Sequence, residues 1–118
     1  MELGKNVGNK IDIQAIMKEC REMDARTTMS QLNAGGREKV RSWGAHNYFN
    51  LGRGLRFNVQ GNHFTGHVYI VLNGADLYDI YYCSNQGTIK EIKTDIYCED
   101  LTDVIDRKVE YIKDYQNR

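Results

Sequence analysis

The stretch Phe64-Thr65-Gly66-His67-Val68-Tyr69-Ile70-Val71-Leu72-Asn73-Gly74-Ala75-Asp76-Leu77-Tyr78-Asp79-Ile80-Tyr81-Tyr82-Cys83 decides the fold. Val68, Ile70 and Leu72 alternate with His67, Tyr69 and Val71, the period of two that sends successive strand side chains to opposite faces. Asn73-Gly74 breaks the run with residues that accept the backbone angles of a tight turn, so Leu77 to Cys83 reads as the returning strand of a hairpin. Working outward, Leu55-Arg56-Phe57-Asn58-Val59 alternates in the same way, and Gly61-Asn62 marks the turn between it and Phe64. Thr88 to Ile96 alternates less cleanly and carries Lys90 and Lys93, as an edge strand guarded against unwanted pairing would. Before Gly52 the pattern predicts a brief strand over Lys39 to Trp43 and a loop over Gly44-Ala45-His46-Asn47.

The flanks change period. Ile13, Ile16, Met17, Cys20 and Met23 recur at helical spacing opposite Lys18, Glu19, Arg21 and Glu22, which predicts an amphipathic helix. A second helical turn around Met29 and Leu32 is expected to stop at Gly35-Gly36. At the other end Glu99 and Asp100 suit the positive end of a helix dipole, and Leu101, Val104, Ile105, Val109 and Ile112 form the stripe that follows. Helices before and after a meander of four or five antiparallel strands bury their apolar faces most simply by lying on the sheet. The expected fold is an α+β two-layer sandwich, with residues 1–8 a flexible start and 9–118 one domain.

Composition narrows the function. No run approaches the roughly 18 apolar residues of a membrane span, and Cys20, Cys83 and Cys98 form neither a disulfide framework nor a redox or zinc pair, so a cytoplasmic address is expected. Net charge is zero, which excludes a simple polybasic binder, yet the charge is segregated. Arg37, Lys39, Arg41, Arg53 and Arg56 face Glu38 alone between residues 37 and 67, whereas ten acids oppose six basic residues from 68 onward. Such a dipolar chain can present a face to an anionic partner, or can pair its own charges in space.

Chemistry-bearing residues are sparse. His46, His63 and His67 lie in the basic stretch, but four strand residues span about 13 Å, too far for His63 and His67 to share a metal ion. Partners such as Asp76 or Asp79 would be required, and no metal or cofactor is expected. A nucleophile needs an adjacent base, and Cys83 with His67 on the neighbouring strand is the one pairing the meander brings near. Gly35-Gly36 and Gly52-Arg53-Gly54 lack the following helix of a phosphate-binding loop. Aromatics interleaved with arginines can stack bases and hold phosphates on a sheet face. Arg41, His46, Arg53, Arg56, Tyr69 and Tyr78 are therefore the candidate nucleic-acid-binding residues, with Tyr82 a further aromatic of the same strand pair.

The segments Ser42-Trp43-Gly44-Ala45-His46-Asn47-Tyr48-Phe49, Leu55-Arg56-Phe57 and Val68 to Ile80 resemble a group of small phage and prophage proteins of unknown function. In that group a Gly-Ala-Lys-Asn-Phe stretch precedes a Leu-x-Phe strand and an Asn-Gly-x-Asp-Leu-Tyr hairpin; the likeness spans roughly residues 28 to 107, with His46 in place of the lysine. The resemblance implies a mobile-element origin and supplies no reaction, ligand or site. Accessory proteins of that class commonly bind nucleic acid or block a host complex, inhibitors of CRISPR nucleases included. Two expectations follow: a non-catalytic nucleic-acid binder, or an inhibitor of a host defence nuclease in which Asp100, Asp103, Asp106 and Glu110 of the last helix mimic phosphates. A small-ligand or metal-dependent enzyme has only the histidines to support it. An uncovered sheet edge or tyrosine face would also permit a homodimer.

Overall fold

The central hairpin forms where its sequence predicts, but its turn runs from Asn73 to Leu77 rather than closing at Asn73-Gly74, and Asn73 builds it. The computed structural model describes residues 5–110. The Asn73 side-chain oxygen accepts from the backbone N–H groups of Ala75 (2.8 Å) and Leu77 (3.2 Å). Its amide donates to Asp79 and Asp95. The left-handed residue of the turn is Asp76, at φ 68°, a conformation that aspartate tolerates better than most side chains.

Around this hairpin the chain runs α1 (Ile13–Lys18), α2 (Ala25–Ala34), α3 (Arg37–Ser42), β1 (His46–Asn50), β2 (Gly54–Gln60), β3 (Thr65–Leu72), β4 (Tyr78–Cys83), β5 (Ile89–Ile96), a 3-10 turn (Cys98–Asp100) and α4 (Leu101–Val109). The five strands lie side by side in chain order, each neighbouring pair antiparallel. This is the expected α+β sandwich. Its main layer boundary is formed by α2, α3 and α4 against Leu55, Phe57, Val59, Val68, Ile70, Tyr78, Ile80 and Tyr82. Trp43 anchors that core: it is fully buried, stacks on Phe57 with ring centroids 6.4 Å apart, and donates its indole N–H to Asp106 at 3.0 Å.

The N-terminal stripe divides. Ile16 and Met17 of α1 pack on the opposite sheet face with Tyr69, Val71, Tyr81, Cys83 and Ile89, whereas Met23 joins the main core. The helix ends at Lys18, five residues before the stripe does, because the chain must cross the end of the sheet, where the Arg21 N–H donates to the Leu72 carbonyl at 2.8 Å. Periodicity cannot reveal this, since both faces demand apolar residues.

Two neighbouring expectations fail together. Residues 37–42 are helical rather than extended, so a helix does follow Gly35-Gly36: Arg37, Glu38, Lys39 and Arg41 are good helix formers, and the buried pair Val40 and Trp43 is spaced at one helical turn. The following segment, expected as a loop over 44–47, enters β1 at His46, and the polar appearance of His46 and Asn47 reflects an edge strand with all five residues exposed. Asn47 sits at φ 55°, and the register slips between His46 and Phe49, so β1 is bulged. The other edge is partly covered, since the Gly8 N–H donates to Ile89 and the Ile89 N–H donates to Asn9. The expected flexible start falls partly outside the described residues, as does Ile112 of the last stripe.

α2 and α4 approach so closely that a Cβ on Gly35 would overlap the Thr102 side chain. Thr102 uses the proximity: its buried hydroxyl donates to the Leu32 carbonyl at 2.7 Å. A Thr102→Val substitution keeps the shape but leaves that carbonyl with one bond fewer. We expect it to lower the unfolding free energy by about 1–2 kcal/mol, measured by urea denaturation. Gly35→Ala should cost more, because the helices must separate.

Candidate nucleic-acid interface

Antiparallel register lays side chains in rows across a sheet face. On the face opposite α2–α4, one row reads Phe49, Arg56, Tyr69, Tyr81 and Ile92, and the next reads His46, Asn58, His67 and Cys83. α1 covers the β4–β5 end of both rows and leaves the β1–β2 end open. The open end is where the basic and aromatic side chains meet. Phe49 is 49% exposed, and the Arg56 guanidinium lies 5.2 Å from its ring centroid and 5.9 Å from that of Tyr69. Both distances fall within cation–π reach.

Arg56 also touches His67. Its Nη2 is 3.4 Å from Nε2 and 3.5 Å from Nδ1 of the imidazole, nearly equidistant, which is a stacking contact more than a hydrogen bond aimed at one lone pair. Burial, and secondarily the guanidinium charge, hold the His67 pKa below the ordinary imidazole value, so the ring is neutral at pH 7. Among the described residues no carboxylate pairs with Arg56, and its Nε, although buried, has no hydrogen-bond partner. Asn58, one row along on the same strand, likewise has a buried side-chain oxygen without a partner. The surface thus offers a cation and a stacking ring, with an unpartnered donor and acceptor buried beneath them.

The other candidates fall into three groups. His46 heads β1, exposed, with its Nδ1–H donating to the Gly44 carbonyl at 2.6 Å. Arg53, exposed in the β1–β2 turn, donates to the Cys20 carbonyl at 3.3 Å, and Arg41 is exposed on α3. None of the three arginines is neutralised by a late carboxylate among the described residues. The tyrosines behave differently from the expectation of an open aromatic face. Tyr78 points into the main core, 6% exposed, with its hydroxyl donating to Gln31 at 2.6 Å and lying 3.1 Å from the Thr28 hydroxyl. Tyr82 is buried on the same face, and Tyr69 shows only 8% of its surface. Strand parity separates Tyr78 from Arg56, and α1 covers much of Tyr69. The exposed ring is instead Phe49, one strand earlier, which the reading of residues 44–47 as a loop obscured.

The acids of the last helix are mostly engaged within the chain. Asp103 accepts from Lys39 at 2.6 Å, Asp106 holds the Trp43 indole, and Glu110 accepts from the backbone and side-chain amides of Asn62. Asp100 is exposed at the start of α4. His67 and Cys83 are direct cross-strand partners, but burial pushes the Cys83 thiol up to about 12, which leaves no thiolate for nucleophilic attack. No group of three metal-ligating side chains occurs among the described residues, and no helix there is long and apolar enough to cross a membrane.

The depressed His67 pKa has a stability consequence. A histidine that binds protons less readily when folded makes stability fall as pH drops through the unfolded imidazole value, levelling off below the folded one. Arg56→Gln should raise the His67 pKa toward its ordinary value, read by imidazole NMR titration. An unchanged pKa would mean that burial alone sets it. No protein-family model, curated protein or solved structure matches this chain.

Proposed function

We propose that this protein is a non-catalytic accessory protein of a mobile genetic element that binds single-stranded or looped nucleic acid across the open end of β1, β2 and β3. The observation that carries this reading is Arg56, a guanidinium without a carboxylate partner among the described residues, set between the rings of Phe49 and Tyr69. A base stacks on the exposed Phe49 ring and a phosphate meets Arg56. Double-stranded nucleic acid fits less well, because a stacking ring needs an unpaired base. The mobile-element origin rests on the sequence resemblance. Inhibition of a nuclease through the last helix is the weaker reading, since Asp103, Asp106 and Glu110 are committed to Lys39, Trp43 and Asn62.

The test is fluorescence anisotropy with a labelled single-stranded oligonucleotide over a salt series. Removing one stacked ring from a base costs about 1–3 kcal/mol, so Phe49→Ala should weaken binding roughly fivefold to a hundredfold. Arg56→Gln should weaken it too, and flatten the dependence on salt by about 0.7 in the log–log slope, the contribution of one single-strand phosphate contact. Affinity independent of salt, or unchanged in both variants, excludes this surface.

A further inference from the structure

On the helix-covered side of the sheet, β5 and α4 do not close completely, and a groove of 440 Å³ remains between them. That volume lies at the small end of ligand sites. Ile96 of β5 and Val104 of α4 form an apolar wall, while Lys93, Arg107 and Lys108 approach from the other sides with His63.

The cations are held in place. Glu91 receives one ammonium on each carboxylate oxygen, Lys108 at 2.9 Å and Lys93 at 3.3 Å. Lys108 is further held over the rings of Phe64 (5.1 Å) and Tyr82 (5.8 Å). The Lys108 hydrogen bond keeps the Glu91 carboxyl below the usual carboxylate range, so this carboxylate stays charged. Three basic side chains therefore line the groove with one carboxylate, and Arg107 has no carboxylate partner among the described residues. A guanidinium and two positioned ammonium groups beside an apolar wall complement a phosphate joined to a small ring. The surplus positive charge disfavours metal ions and amines.

We propose that this groove binds a mononucleotide-sized organic phosphate, its phosphate among Lys93, Arg107 and Lys108 and its ring against Ile96 and Val104. The site is separate from the Arg56 surface, which lies on the opposite sheet face, and stands whether or not that surface binds nucleic acid.

NMR titration of the full chain with AMP, adenosine and inorganic phosphate tests it. AMP should give saturable shifts concentrated in β5 and α4, with adenosine and inorganic phosphate each weaker by about tenfold or more, as loss of a charge-assisted contact or of the apolar one implies. Arg107→Gln should weaken AMP by about the same factor. Because Arg107 is exposed, its unfolding midpoint should stay unchanged. Shifts that fail to saturate at millimolar AMP overturn the site. So does adenosine or inorganic phosphate binding as tightly as AMP, or an Arg107→Gln protein that binds AMP like the parent.

Discussion

The hairpin of β3 and β4 is apolar on both faces, and most of the architecture answers that requirement. Val68, Ile70, Ile80 and Tyr82 need cover on one side, and Tyr69, Val71, Tyr81 and Cys83 need it on the other. Three helices supply the first layer. The second is supplied only by α1, a helix of six residues, with the short segment before it. So small an element cannot reach across the whole sheet, and the strands farthest from it, β1 and β2, keep their outer face in contact with solvent. The candidate interface is where that cover ends, and its residues differ accordingly: His46, Phe49, Arg56 and Asn58 stand where the buried rows have Val71, Tyr81 and Ile89.

Charge segregation along the chain turns into two different arrangements in space. Part of the basic stretch is neutralised internally, as Lys39 on Asp103 shows, and this tie holds α3 to α4. The arginines on the strands and turn are not: Asp103, Asp106 and Glu110 lie on α4 across the sheet, and Asp79 and Asp95 accept from Asn73. Net neutrality of the whole molecule thus coexists with local surplus, which is what a field-steered encounter requires.

How much of this was legible beforehand depends on which physical signal each residue carries. Alternation at Leu55–Val59 and Val68–Leu72 reports strands with two distinct faces, and the edge character of β5 is legible in its weaker alternation and its lysines. That Arg56 and Tyr69 share one face is shown by the register. Tyr78 and Tyr82 were not separated from them, because tyrosine is at home in a core or on a surface, and only the register shows that these two share the face of Ile80. The stripe from Ile13 to Met23 fits one helix and is used by two cores, since spacing says that a residue is buried but not against what. Lys39 to Trp43 is too short a window for periodicity to decide, and the misreading there hides β1 and with it Phe49. Neither groove nor cation cluster beside β5 has a linear signature: His63, Glu91, Lys93 and Arg107 converge only once α4 folds back across the sheet.

The crossing of the chain at Arg21 leaves α1 attached to the rest by the sheet rather than by the helices of the main core. Its contacts form a unit of their own, smaller than the one around Trp43, so the molecule carries two tiers of cohesion. Detachment of the outer tier would be a partial opening that leaves the inner one intact, the kind of local event through which amide hydrogens exchange before global unfolding. Such an opening enlarges the uncovered sheet face toward Tyr69 and Tyr81, so the extent of aromatic surface available at any moment is set by the grip of one short helix.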